Sequence, residues 1–155
     1  MSVFPQIFPA TSDEIVNNST VSGAFVTNAL NNLRTAAGQL CFQIYEGGGV
    51  LTTLPKIMHV RLPYAITITG WEIVCNESGS IVIDVWKGTY ANFPSTVADT
   101  ITASAKPTVT TAQKATSTTL TGWTTSLPAG AYVNVNVDSV TSITYALLNL
   151  TYTRT

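Results

Sequence analysis

From Leu40 onward the chain alternates apolar and polar residues with a period of two, the signature of half-buried strands. Leu40, Phe42 and Ile44 alternate with Cys41, Gln43 and Tyr45, and then Gly47-Gly48-Gly49 turns the chain. Met58, Val60 and Leu62 alternate with Ile57, His59 and Arg61, so the single histidine shares a face with an arginine and reads as solvent-facing. Tyr64, Ile66 and Ile68 then occupy even positions, whereas Trp71, Ile73 and Cys75 occupy odd ones. A strand changes its buried parity only by taking in an extra residue, which predicts a bulge at or beside Gly70.

The stretch Thr67-Ile68-Thr69-Gly70-Trp71 is echoed by Thr119-Leu120-Thr121-Gly122-Trp123, and Leu120, Trp123 and Leu127 repeat the parity change across Gly122. Gly70, Trp71, Gly122 and Trp123 therefore read as scaffold, as does Trp86. Asn76-Glu77-Ser78-Gly79 predicts a hairpin turn into Ser80–Lys87, an almost unbroken apolar run interrupted by Asp84, which marks a strand covered on both faces. Residues 88–117 lack strong periodicity and read as a long loop that either carries function or hides an irregular hairpin. Pro128-Ala129-Gly130 forms a turn, and Val133, Val135 and Val137 alternate with Tyr132, Asn134 and Asn136. Ile143–Tyr152 closes the chain, with Tyr145 and Leu147 on one side and Leu148, Leu150 and Tyr152 on the other. About eight strands result, and the expected class is mainly β: an antiparallel β-sandwich with jelly-roll topology.

The first part of the chain follows other rules. Residues 1–9 read as an extended arm, because Pro5 and Pro9 push the phenylalanines before them out of the helical region. Burying Phe4, Ile7 and Phe8 gains about 1.5–3 kcal/mol each. Ordering the backbone costs about 1–2 kcal/mol per residue. The balance is near zero, so the arm, with Phe4, Pro5, Ile7, Phe8 and Pro9 as its docking residues, is fixed only against a preformed groove, on its own sandwich or on a neighbour. Thr11 and Glu14 have the spacing of a capping box. A longer amphipathic helix is predicted from about Gly23 to Ala37, with Val26, Leu30 and Leu33 in its apolar stripe, Phe25 beside them and Gly38 as its stop. The expected division is residues 1–38 for arm and helix and 39–155 for the sandwich.

Composition changes the picture of the surface. Only 10% of the 155 residues are charged and 45% are hydrophobic, against about a quarter charged in an ordinary soluble domain. Mean hydropathy is +0.27. An exterior built from Thr, Ser and Asn is weakly protected against association, so copies of the chain or a partner are expected to cover much of it. A net charge of −1 with scattered basic residues speaks against nucleic acid. No apolar run approaches the ~18 residues of a spanning helix, and no signal peptide is visible, so the expectation is synthesis in a reducing cytosol and no membrane partner. Cys41 and Cys75 then start as thiols.

Chemistry is sparse. One histidine without a Gly-x-Ser-x-Gly elbow gives no hydrolase constellation, and no His/Cys/Asp/Glu cluster has metal spacing. Gly47–Gly49 lacks the lysine and helix of a phosphate loop. Glu72, Glu77 and Asp84 are the conceivable carboxylate pairs for glycoside hydrolysis, but on sandwich strands such groups are expected to face water. No catalytic residue, metal or cofactor is assigned.

One resemblance bears on role. The run from Gly79 through Asp84-Val-Trp86-Lys87 to Tyr90, Pro94, Asp99 and Ile101, followed by Pro107 and then Gly122-Trp123, resembles a β-sandwich module of tailed-bacteriophage structural proteins: capsid decoration, head-fibre, tail-fibre and appendage proteins. The match spans roughly residues 64–152. It implies a non-enzymatic virion protein on the outer capsid surface or an appendage. The expected role is capsid decoration (cement) that bridges subunits of the major capsid protein. The alternative is a tail-fibre or tail-tip receptor-binding protein whose loop 88–117 recognises a host surface glycan.

Overall fold

A strand of 23 residues, β3 (Ile66–Gly88), runs through the centre of the sheet and pairs along both of its edges. The structure is a computed structural model; it describes residues 36–53 and 55–155, with side chains at all of these except 55–58. The expected arm and helix face, Phe4 to Pro9 and Phe25 to Leu33, lie outside the described residues.

Six further strands complete the described architecture: β1 (Ala37–Tyr45), β2 (Pro55–Arg61), β4 (Thr108–Ser117), β5 (Ser126–Leu127), β6 (Tyr132–Thr141) and β7 (Tyr145–Arg154). All pairings are antiparallel and join one sheet, curled into a half-barrel. The class is mainly β, as expected. The register shows how the curl arises. β7 pairs with the first half of β3, from Ile66↔Arg154 to Cys75↔Ala146, and β6 with the second half, from Ser80↔Thr141 to Gly88↔Tyr132. Beyond them, β1 lies against β7 and β2 against β6. On the other edge of β3, β4 pairs with both halves and β5 with its start.

The ladder is interrupted where the two halves meet, and the interruption is stitched by side chains. Asn76 Nδ2 donates to Thr144 Oγ1 at 2.7 Å, and Asn76 Oδ1 accepts the Tyr145 amide at 2.9 Å. Thr144 Oγ1 donates to Glu77 at 2.7 Å, and the Gln113 amide reaches the Asn76 carbonyl at 3.2 Å. This corrects the expected hairpin at Asn76–Gly79. Those polar residues mark the place where β3 crosses between its two sets of neighbours, not a reversal of the chain. Ser142 between β6 and β7, and Thr111 in β4, take left-handed backbone conformations at the same crease, with φ of 65° and 48°.

The interior follows the alternation. Phe42, Ile44, Ile73, Ile81, Ile83, Val85, Val133, Val135, Leu148 and Leu150 are buried in one core cluster, and Leu62 joins it just past β2. The parity change in β3 is a bulge: Ile68 faces Tyr152 but Gly70 faces Thr151, so Thr69 is the extra residue. Gly122 behaves differently. It sits outside any strand with φ of 78°, in a turn closed by the Trp123 amide on the Leu120 carbonyl at 3.1 Å. The echo therefore joins a bulge to a turn, two local structures that share a Gly-Trp step.

Gly38 corrects a further expectation. Read as the stop of a helix, it lies in β1 opposite Tyr152, and a Cβ there would fall 2.5 Å from the tyrosine ring. The missing side chain admits the ring, whose hydroxyl meets that of Tyr64 at 3.0 Å. Ala37, expected as the last residue of that helix, likewise pairs with Thr153 as the first residue of β1, and residues 23–35 lie outside the described residues.

Gly79 makes the crease testable. An added Cβ would stand 2.3 Å from the carbonyl oxygen of Thr141, the last residue of β6, and 2.7 Å from Ile143 Cγ1 on the connection to β7. Gly79→Ala is expected to destabilise by about 1–3 kcal/mol in denaturant unfolding, the usual cost of overpacking. Gly49→Ala, with nothing within 4 Å of the new methyl, is expected to stay within about 0.5 kcal/mol of the parent.

Candidate functional site

The described residues concentrate their unusual chemistry at one end of the curl, where the loop 89–107 folds back on the second half of β3. The inner face of that half is core. Its outer face carries Asp84 and Trp86, flanked in register by Asn136 and Asn134 of β6, with His59 of β2 beyond Asn134. The loop runs beside the strand: Trp86 bridges to Thr100, the Ile101 amide donates to the Val85 carbonyl at 2.9 Å, and the Ile83 amide donates to the Pro107 carbonyl at 2.9 Å. The two-face coverage expected of Ser80–Lys87 is thus supplied by the core on one side and by polar neighbours on the other.

Asp84 was expected to face water. It is 0% exposed. A buried carboxylate survives only where donors replace its water, and the loop brings them. Thr100 and Thr102 each donate a hydroxyl to Asp84 Oδ1 at 2.6 Å, and Lys106 Nζ stands 3.1 Å from Oδ2. Trp86 Nε1–H lies near enough to favour the charge, without a hydrogen bond of regular geometry. Burial pushes the Asp84 carboxyl up, but the two threonine hydroxyls, the indole and the lysine together outweigh it and hold the group below the usual aspartate range.

Lys106 spans two carboxylates. Its ammonium also lies 2.5 Å from Asp138 Oδ2, and Asn136 Nδ2 donates to Asp138 Oδ1 at 2.6 Å. The strand geometry places that second acid: Val82 pairs with Ser139 and Ile83 with Val137, so Asp138 is the extra residue of a bulge. The bond to Asp138, opposed by partial burial and supported by Asp84, raises the Lys106 pKa. A lysine held protonated between two carboxylates is a structural cation, poorly suited to attack an electrophile.

Further along the loop, a short 3-10 turn at Val97–Asp99 is capped at both ends of a box: Thr96 Oγ1 accepts the Ala98 amide, and Asp99 Oδ2 accepts the Thr96 amide at 2.8 Å. Ser95 is buried against Gly88, where a Cβ would come 2.3 Å from its hydroxyl oxygen. Phe93 packs on His59 in a tilted arrangement with ring centroids 4.7 Å apart and meets Tyr132 edge-on at 6.1 Å. His59 is half-buried in this packing.

The positions that carry the resemblance gather here. Trp86 is buried beneath the loop, Ile101 and Trp123 belong to the core, Asp99 caps the turn, and Pro107 hands the loop back to the sheet. The Trp123 indole donates to the Ala105 carbonyl at 2.8 Å, and the Thr124 amide donates to the Ile101 carbonyl at 2.8 Å, so the stretch after Gly122 pins the loop from its far side. Trp71 is also buried in the core, beside the bulge at Gly70. The three tryptophans and two glycines singled out as scaffold therefore lie in two places, the bulge of β3 and the framework of the loop.

The conceivable carboxylate pair does not form one site. Asp84 is buried under the loop, Glu77 is bound into the crease with Thr144 and Asn76, and Glu72 is exposed near Asn149. Among the described residues no three His, Cys, Asp or Glu side chains come together as a metal site, and no helix is long and apolar enough to cross a membrane. Cys41 is an exposed thiol; Cys75 is half-buried, which raises its pKa. Neither models of known protein families nor curated proteins give a match to this chain. What sequence reading missed is the Asp84–Lys106–Asp138 group. Its one available signal was an aspartate inside an otherwise apolar strand.

The lowered pKa fixes the sign of a pH effect. An aspartate whose folded pKa lies below its unfolded value of about 3.9 adds stability that is fully present above that value. That stability is lost as pH falls from there through the folded pKa. Asp84→Asn is expected to destabilise at pH 7 by about 1–3 kcal/mol and to flatten the acid limb of stability below about pH 4. Urea unfolding of both proteins across that range provides the measurement.

Proposed function

We propose that the chain is a non-enzymatic structural protein of a tailed-bacteriophage virion, and specifically a capsid decoration protein that bridges neighbouring subunits of the major capsid protein. In this reading the curled sheet corresponds to the jelly-roll-like sandwich of the phage module, preceded by the apolar arm and the amphipathic helix, and the working unit is a homotrimer on the outer capsid surface.

One structural observation supports it most: the outer face of the first half of the sheet. Two rows cross four strands in register, Gln43–Leu147–Val74–Lys114 and Cys41–Asn149–Glu72–Thr116. Each row carries a single charge. Tyr45 and Tyr145 stand at the end of the face with ring centroids 6.4 Å apart. A depression of ≈ 450 Å³ lies between β3 and β4, lined by Glu72, Val74, Lys114, Ala115 and Thr116. A lightly charged β surface with Leu147 and Val74 half-covered in its middle suits attachment by burial rather than turnover. Asp84, Asp138 and Lys106 hold the loop and Glu77 holds the crease.

Co-sedimentation with expanded capsids of the phage that encodes the chain tests the reading. The intact protein is expected to pellet with capsids. Deleting residues 1–9 is expected to leave a folded, soluble protein that stays in the supernatant, and Leu147→Lys is expected to weaken pelleting by at least about tenfold, the cost of placing a charge in an apolar contact. Failure of the intact protein to bind, or binding unchanged in both variants, would overturn it. Light scattering checks the trimer, and a clean monomer at high concentration counts against it.

A further inference from the structure

The large hydrophobic side chains that stand exposed among the described residues are Tyr45, Val50, Tyr90, Phe93 and Val97. Three of the five fall on one stretch of the loop, between Tyr90 and Val97. Tyr90 is 85% exposed and Phe93 52%. Such a cluster at the tip of an otherwise polar loop is a place where apolar contact with something outside the chain is favoured.

The loop holds these side chains on a firm base. Its start is turned by the Asn92 amide, which donates to Thr89 Oγ1 and to the Thr89 carbonyl, both at 3.2 Å. Its end is fixed by the Thr96–Asp99 box and by the bridge from Trp86 to Thr100. Between them, Phe93 is wedged against His59 and Tyr132. An aromatic ring set in this way presents its surface with little rotamer entropy left to lose on binding.

The polar groups around the rings indicate what the contact takes. Arg61 faces Tyr132 in the β2–β6 register, is exposed, and makes no ion pair among the described residues. The loop's own acid, Asp99, is already held by Thr96, and Asp84 and Asp138 share Lys106. Beneath the patch two buried polar atoms lack a protein partner. Asn134 Oδ1 lies in the register between His59 and Trp86, and Ser95 Oγ lies against Gly88, which pairs with Tyr132. Buried polar atoms of this kind find a water or a ligand group in a native protein.

We propose that the exposed aromatic loop, with Tyr90 and Phe93 as its rings and Arg61 beside Tyr132 as its cation, is a binding platform for an acidic pyranose, a sugar ring that carries a carboxylate. The C–H face of a pyranose packs on an aromatic surface as other apolar groups do. Its hydroxyl rim matches the side-chain amide and hydroxyls of Asn92, Thr89 and Ser95, the last through a bridging water. The carboxylate matches the planar fork of Arg61. A neutral sugar would use the rings and leave the guanidinium idle. This site lies on the second half of the sheet, apart from the face assigned to capsid attachment, and stands or falls independently of that assignment.

Titration of the ¹⁵N-labelled full chain by NMR decides it, with sialyllactose and a galacturonic-acid trimer as acidic probes and lactose as the neutral one. Saturable shifts are expected at Asn92, Phe93 and Tyr132 with at least one acidic probe. Arg61→Ala is expected to weaken that probe by at least about tenfold, the loss of a charge-assisted bidentate contact, while lactose is unaffected. Tyr90→Ala, at a fully projecting side chain, is expected to weaken binding with no change in melting temperature; Phe93→Ala is the second test of the rings. The proposal is overturned if no probe shifts these residues or if lactose binds as well as the acidic probes. It is equally overturned if Tyr90→Ala or Phe93→Ala leaves binding intact, or if either converts an oligomer to monomer in light scattering, which would make the loop a contact between copies.

Discussion

A strand as long as β3 cannot remain flat and keep both edges paired. Strands twist, and over 23 residues the twist accumulates until the two ends point to different sides of the molecule. The solution is one strand shared by two sets of neighbours, with a break between β6 and β7 where the direction changes. Everything else in the described chain adapts to that break. β1 and β2 follow β7 and β6, and β4 crosses both halves with its own irregularity at Thr111. The cost is a gap in the backbone ladder. Asn76, Glu77, Gln113 and Thr144 fill it with side-chain hydrogen bonds, which accounts for so polar a run inside a central strand.

The second consequence concerns the loop. Because β6 leaves the sheet's other edge open beyond β4, the second half of β3 would present unpaired backbone groups there. Residues 100–107 close that edge, and the Asp84 carboxylate ties them to it. Using a charge for this purpose is expensive in desolvation. It is offset here by two neutral hydroxyl donors and a lysine that remains partly in water. The lysine also reaches a bulge residue on the adjacent strand, so the loop is referenced to both β3 and β6. That double anchorage fixes where the loop returns to the sheet.

Local alternation was the most legible part of the sequence. β1, β6 and β7 bury the residues that a period of two selects, and the parity change between Ile68 and Trp71 located the bulge to within a residue. Pattern alone could not separate a turn from a crossing. Asn76-Glu77-Ser78-Gly79 has the composition of a hairpin, and only the position of the β6–β7 break shows why the chain continues straight. Gly38 failed for a related reason: its role is to make room for Tyr152, more than a hundred positions away in sequence, and no local rule reports such a contact. The loop 89–107 was recognised as exceptional by its lack of period, but its contents were not. Asp84, Thr100, Thr102, Lys106 and Asp138 become a group only once three segments are brought side by side.

The two outer surfaces that remain follow from how each half of the sheet is finished. The first half has strands on both sides of β3 and needs no covering loop, so its outer face stays broad, with Leu147 and Val74 in the middle of rows that hold few charges. The second half is finished by a loop that must turn tightly over Gly88 and return, and such a loop projects side chains that cannot all reach the core. Phe93 finds His59 and Tyr132; Tyr90 and Val97 find nothing comparable and stay outside. A broad face suits attachment to a large surface, whereas a narrow aromatic tip suits a small ring. In a chain with so few charges, Arg61 beside that tip, without an ion pair among the described residues, is the feature that gives it chemical direction.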